Sequence, residues 1–264
     1  MGEGKKEIYS QHVFAIYPLA IKATGAIPVK SKAKNWGHDL ELMSDLVDEK
    51  TKIVFIASPN NPTGTAKTLR EIKDFLENLS NDILVFLDQA YFEYIESTEF
   101  DIPFSLIKDH PNLVISRSFS KAHGLAALRL GFCVSNPDLS DYLNRVRQPF
   151  NANSLALDLG KIALTDQEHI SKSVKINSSG MERVKNAFIK FDYNFIESWG
   201  NFISFDAKQD SDTAFQYFLE KGVILRSLKV YEMPQHLRVS IGTEEEMDFF
   251  LQVLEDYEKD LSKK

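Results

Sequence analysis

Along the first half of the chain, short apolar runs rich in branched residues alternate with longer stretches of helical period. This is the pattern of a mostly parallel sheet sandwiched by helices. The runs predict strands at Ile27 to Lys30, Lys52 to Ala57, Ile83 to Asp88, Leu113 to Ser116 and Gly131 to Val134. Each is too short and too apolar for a surface helix. Leu69, Ile72, Phe75, Leu76 and Leu79 recur at spacings of three and four, so Thr68 to Asn78 is expected to lay one helical face on the sheet. Val13 to Ala23 also reads as a helix, ended by Gly25, a residue suited to the left-handed cap conformation.

After Pro149 the rhythm changes. A helix-rich run from Ser154 to Phe191 leads to shorter strands expected at Asn201 to Asp206, Val223 to Arg226 and Leu237 to Ile241. A last helix follows Thr243, which is placed to act as N-cap, with Glu244, Glu245 and Glu246 in the first turn where negative charge suits the helix dipole. The chain therefore divides into a large α/β domain over residues 1–150 and a smaller C-terminal α+β domain over residues 151–264.

Composition narrows the partners. The 264 residues carry 31 basic and 38 acidic side chains, a net charge of −7, which disfavours nucleic acid. The longest apolar runs fall far short of the roughly 20 residues of a membrane-spanning helix. No apolar signal core follows Met1, and a lone Cys133 has no internal disulfide partner, so a reducing cytoplasm is the expected compartment.

In open α/β sheets ligands bind beyond the carboxyl ends of the strands. Three loops there carry unusual polar content: Ser58-Pro59-Asn60-Asn61-Pro62-Thr63-Gly64, Asp88-Gln89-Ala90-Tyr91, and Ser118-Phe119-Ser120-Lys121-Ala122-His123-Gly124 continuing to Arg129. Singly, each has a plain reading as a turn, a cap or a solvated amine. Jointly they supply a lysine nucleophile, a strand-end carboxylate, a phenol, an amide and Ser/Arg phosphate ligands, the parts needed to hold pyridoxal phosphate. The stretch Gly64 to Thr68 lacks the glycine before lysine of a phosphate-binding P-loop, and the six histidines show no metal-ligand spacing, so no metal site is expected.

With these motifs, with Gly124-Leu125-Ala126-Ala127-Leu128-Arg129, and with Leu237-Arg238-Val239-Ser240-Ile241-Gly242-Thr243, the sequence resembles the fold-type I pyridoxal-phosphate-dependent aminotransferases, most closely the histidinol-phosphate branch. The resemblance implies that Lys121 attaches the cofactor and shuttles the α-proton, while Asp88 keeps the pyridine nitrogen protonated. It implies that Tyr91 and Asn61 hydrogen-bond the cofactor's phenolic oxygen, and that Ser118, Ser120 and Arg129 grip its phosphate. Phe14 falls where the family usually stacks an aromatic ring on the cofactor, Arg226 and Arg238 fall where the branch contacts the substrate's anionic groups, and Asn61 is expected to contact substrate as well as cofactor. His123 is read as packing.

The activity so implied is transamination between L-histidinol phosphate and 2-oxoglutarate, giving imidazole acetol phosphate and L-glutamate, in histidine biosynthesis, by a homodimer. Family members carry, ahead of the point where this sequence starts, an N-terminal arm and a Gly-rich loop that adds amides to the phosphate site. Three other readings stay open on sequence: an aromatic amino-acid aminotransferase, a decarboxylase of a phosphorylated amino acid, and a non-catalytic remnant.

Overall fold

A computed structural model describes residues 2–263. In chain order the first half folds as β1 (Lys6–Ser10), α1 (Ile16–Ala23), β2 (Ile27–Ser31), a small hairpin of β3 (Ala33–Lys34) and β4 (Gly37–His38), and α2 (Leu40–Asp45). It continues with β5 (Thr51–Ala57), α3 (Leu69–Glu77), β6 (Leu84–Asp88), β7 (Leu113–Ser118), β8 (Gly131–Val134) and α4 (Pro137–Val146). Six of these strands form one sheet in the order β2-β1-β5-β6-β7-β8. All neighbours are parallel except β7 and β8.

The runs of branched residues became strands because both faces of the sheet are covered. Ile53, Val54, Ile56, Val85, Leu87, Leu113 and Ile115 are all buried, and a fully buried aliphatic side chain contributes about 1.5–3 kcal/mol. Helix α3 starts on a reciprocal cap: Thr68 Oγ1 accepts from the Glu71 amide at 3.1 Å while the Glu71 carboxylate accepts from the Thr68 amide at 2.8 Å. It then buries Ile72, Phe75 and Leu76 against the sheet.

The second half folds as α5 (Ser154–Thr165), α6 (Gln167–Lys190), β9 (Phe195–Ile196), β10 (Phe202–Asp206), α7 (Ser211–Glu220), β11 (Arg226–Ser227), β12 (His236–Ser240) and α8 (Glu244–Leu261). Four strands make an antiparallel sheet in the order β11-β12-β10-β9. Its core, including Phe188, Phe205, Phe218, Phe250 and Tyr257, is separate from the core under the large sheet. Thr243 caps α8 with Glu246 as its reciprocal partner.

Four expectations change. The strand β1, an interior member of the sheet between β2 and β5, was not expected, because Lys6 and Glu7 make it look like surface. Glu7 is in fact buried, and that burial raises its carboxyl pKa. The run Val223 to Leu225 is not a strand; ladder pairing begins only at Arg226, which faces Arg238 across β12. Helix α1 starts at Ile16 rather than Val13, leaving Phe14 in the preceding turn. Finally β7 runs on to Ser118, whose antiparallel partner is Gly131. Among the described residues no helix is long and apolar enough to cross a membrane.

Candidate active site

All ten residues singled out on sequence line one cavity of about 540 Å³. Phe14 approaches from the turn before α1, Asn61 from the loop after β5, Asp88 and Tyr91 from the end of β6, and Ser118, Ser120, Lys121 and Arg129 from the segment after β7. Arg226 and Arg238 reach in from the antiparallel sheet. A larger groove of about 790 Å³ lies beside α2 and α3 and holds none of the ten.

The loop after β5 is held by its own side chains. Asn60 donates to Thr63 Oγ1 at 2.9 Å and to the His12 carbonyl at 2.9 Å, and the Lys67 amide donates to Ser58 Oγ at 2.8 Å. Gly64 sits at φ +80°, and a Cβ there would come within 2.8 Å of the Ser198 Cα. Only glycine fits that backbone. The loop touches the antiparallel sheet through Ser204 Oγ, which donates to the Pro62 carbonyl at 2.6 Å. Asn61 is thereby presented to the cavity, where its Oδ1 accepts from Arg238 Nη1, leaving its amide hydrogens for another acceptor.

Asp88 ends β6 with both carboxylate oxygens engaged. Oδ1 accepts from the Ala90 amide at 3.0 Å and from Ser116 Oγ at 3.3 Å, and Oδ2 accepts from the Tyr17 hydroxyl at 2.6 Å. Tyr91 is buried edge-on against Phe202, with ring centroids 5.2 Å apart, and the Lys121 ammonium nitrogen stands 5.0 Å from the Tyr91 ring centroid. No ion-pair partner of Lys121 is present among the described residues.

The segment carrying Lys121 is tied down on both sides. The Gly124 amide donates to the Lys121 carbonyl at 2.8 Å, and the Ala122 carbonyl meets His169 Nε2 and Ser173 Oγ of α6, each at 3.1 Å. Ser118 Oγ accepts from the Ser120 amide at 3.1 Å. Arg129 stands in the left-handed region at φ 53° and is exposed, with Nη1 donating to the Ala126 carbonyl at 2.9 Å. The two serine hydroxyls and this guanidinium line the same cavity as the Asp88 carboxylate, and donors of this kind are suited to an anion.

Sequence reasoning missed the four further lining residues whose side chains can hydrogen-bond: Tyr17, Ser116, Arg117 and Tyr231. Tyr17 lies in the first turn of α1, three positions after Phe14. Ser116 lies two positions before Ser118 and so shares its side of β7. Arg117 bonds Gln89 through Nε at 2.9 Å and lies 3.7 Å from the Glu93 carboxylate. Burial brings its pKa down to about 10, and burial also raises that of Glu93. His123 stands 3.8 Å from the same carboxylate and tilts against the Phe119 ring, as its reading as packing anticipates.

Residues 3–254 match the family described as aminotransferase class I and II. Histidinol-phosphate aminotransferase 2 of Haemophilus influenzae is 48% identical over 252 residues, covering 96% of this chain and 69% of that protein. Histidinol-phosphate aminotransferase 1 of Nitrosococcus oceani is 46% identical over 248 residues, covering 94% and 67%. The chain thus spans about two thirds of the length of these relatives. Among solved structures, the histidinol-phosphate aminotransferase of Sinorhizobium meliloti in complex with pyridoxal-5'-phosphate superposes with a TM-score of 0.91 at 23% identity, covering 99% of this chain and 72% of that one. The fold is shared, and with identities near one half over almost its whole length the chain belongs to the class I and II aminotransferase family, in its histidinol-phosphate aminotransferase branch.

Proposed function

We propose that the chain serves amino transfer between L-histidinol phosphate and 2-oxoglutarate, giving imidazole acetol phosphate and L-glutamate, with pyridoxal phosphate as cofactor. The observation that carries this reading is the convergence of Lys121, Asp88 and the Ser118–Ser120–Arg129 anion site on one cavity. The donor set fits the cofactor. Two hydroxyls and a guanidinium suit a phosphate, a carboxylate suits a protonated ring nitrogen, and the Tyr91 phenol and Asn61 amide suit a phenolate oxygen. Phe14, 44% exposed at the cavity rim, offers a ring for stacking.

When bound, the cofactor supplies an electron sink for negative charge developing at the substrate α-carbon. The rest is the work of the chain. Asp88, held by its three donors, would offer a compensating negative charge to the cofactor's protonated ring nitrogen. Lys121 Nζ takes the proton from the α-carbon and returns it later in the transfer, a role suited to an amine with no carboxylate holding it. Tyr91 and Asn61 orient the ring, and Arg238 and Arg226 bind the anionic groups of phosphorylated substrate and glutamate alternately. The domain division at about residue 150 separates these tasks, the large sheet holding cofactor ligands and the antiparallel sheet holding the two arginines.

A homodimer fits the exposed apolar side chains between Tyr142 and Leu164. A reducing cytoplasm suits a lone cysteine. The reading is tested by adding pyridoxal phosphate to the protein and to Lys121→Ala. The wild type is expected to develop a visible absorption band and to form glutamate from 2-oxoglutarate with L-histidinol phosphate as donor, whereas the variant does neither. A wild type that develops no band contradicts the proposal.

A further inference from the structure

We propose that Tyr17 is a positioning residue: its hydroxyl fixes the Asp88 carboxylate in the orientation that cofactor binding requires. The inference rests on the aminotransferase reading above and adds to it a residue that lies 71 positions from its partner in sequence.

Tyr17 projects from α1 and is 5% exposed, with its hydroxyl donating to Asp88 Oδ2 at 2.6 Å. Its ring stacks on Phe55 of β5, centroids 5.3 Å apart and planes 19° apart, so the hydroxyl has little freedom to move. Burial first, and then the neighbouring Asp88 charge, hold the phenol's pKa well above its ordinary value. The phenol therefore remains a proton donor throughout the working pH range.

The carboxylate that receives this bond is otherwise fixed only on its other oxygen, by the Ala90 amide and Ser116 Oγ. Without Tyr17, Oδ2 has no donor among the described residues. With it, Oδ2 keeps a further lone pair for a donor in the cavity. The other titratable and charged groups lining this cavity are Tyr91, Lys121, Arg117, Arg129, Arg226, Tyr231 and Arg238. None of these seven makes a hydrogen bond to the carboxylate, so Tyr17 is its one ionisable hydrogen-bond partner among the described residues.

The test compares binding of pyridoxal phosphate to cofactor-free wild type and Tyr17→Phe, by fluorescence titration from pH 5 to pH 9. The substitution keeps the stacked ring, and thermal melting checks that the fold is intact. The dissociation constant at neutral pH is expected to rise about tenfold, the equivalent of ~1.4 kcal/mol. In an Asp88→Asn background the same substitution should add almost nothing, as expected when two groups act through one contact. Unchanged affinity in Tyr17→Phe would overturn the inference. So would a loss that adds in full to that of Asp88→Asn, since packing alone behaves that way. A wild type that binds no pyridoxal phosphate at any pH would instead overturn the functional reading beneath it.

Discussion

Arg226 and Arg238 face each other in register across β11 and β12. Like charges directly opposite on neighbouring strands repel, so this pair opposes folding by itself. Burial and the Arg226 charge both lower the Arg238 pKa, and Arg238 Nε is buried with no hydrogen-bond partner. What compensates is partial: Nη1 bonds Asn61, and the guanidinium carbon lies 4.8 Å from the Phe202 ring centroid. Two unneutralised cations aimed at one cavity call for an anion. Arg226, the more exposed, is expected to serve the substrate with the larger negative charge. Arg226→Ala should therefore raise KM for histidinol phosphate about tenfold or more, with a smaller rise for glutamate and a melting temperature unchanged or higher. Steady-state kinetics on both substrates check this; equal losses would show that Arg226 does not discriminate between them.

At the scale of elements, the loop after β5 joins the cavity to the packing of the two sheets. Gly64→Ala places a Cβ on a residue at φ +80° and against Ser198, which should destabilise the protein by about 2–4 kcal/mol and shift the urea midpoint down. Because the same loop presents Asn61, cofactor affinity should fall as well. Thr68→Ala, which removes only the cap of α3, should cost about 1 kcal/mol and leave affinity alone. If both variants leave affinity unchanged, the loop is not what places Asn61. The readability of these elements in the sequence follows the same physics. The strands β5, β6 and β7 and the helix α3 are plain because burial on two faces, or on one stripe, writes a strong apolar pattern. The strand β1 is hidden because Glu7 is a buried carboxyl at a position where charge signals solvent. The apolar Val223 to Leu225 suggests a strand too early, since apolar packing alone fixes no ladder partner. Seven of the ten site residues, all but Phe14, Arg226 and Arg238, stand out through loop motifs, whereas Tyr17 acts through a contact with a distant strand end that no local spacing encodes.

At the scale of the whole molecule, a run of exposed apolar side chains lies between Tyr142 and Leu164. No residue of α4 is buried, and Val146 is 78% exposed, Phe150 99%, Leu155 61% and Ile162 62%. Next to this stretch in sequence, β8 ends the six-stranded sheet with one edge unpaired among the described residues. Single exposed aliphatics are ordinary, but a run of them beside an open sheet edge favours association. At about 25 cal/mol per Å² of apolar surface removed from water, even a modest interface outweighs the solvation of such side chains. In solution the chain is therefore expected to carry twice its monomer mass by light scattering at micromolar concentration. Leu155 and Ile162 are seven residues apart on α5 and so project from one face. Replacing both with Glu should return the monomer mass without loss of helical circular dichroism, because neither side chain belongs to the buried core. A wild type of single-chain mass at tens of micromolar, or a double variant that stays dimeric, would place the association elsewhere. The same variant separates assembly from chemistry: Lys121, Asp88 and Arg238 lie outside α5, so a monomer that still binds pyridoxal phosphate would show that the cavity is complete within one chain.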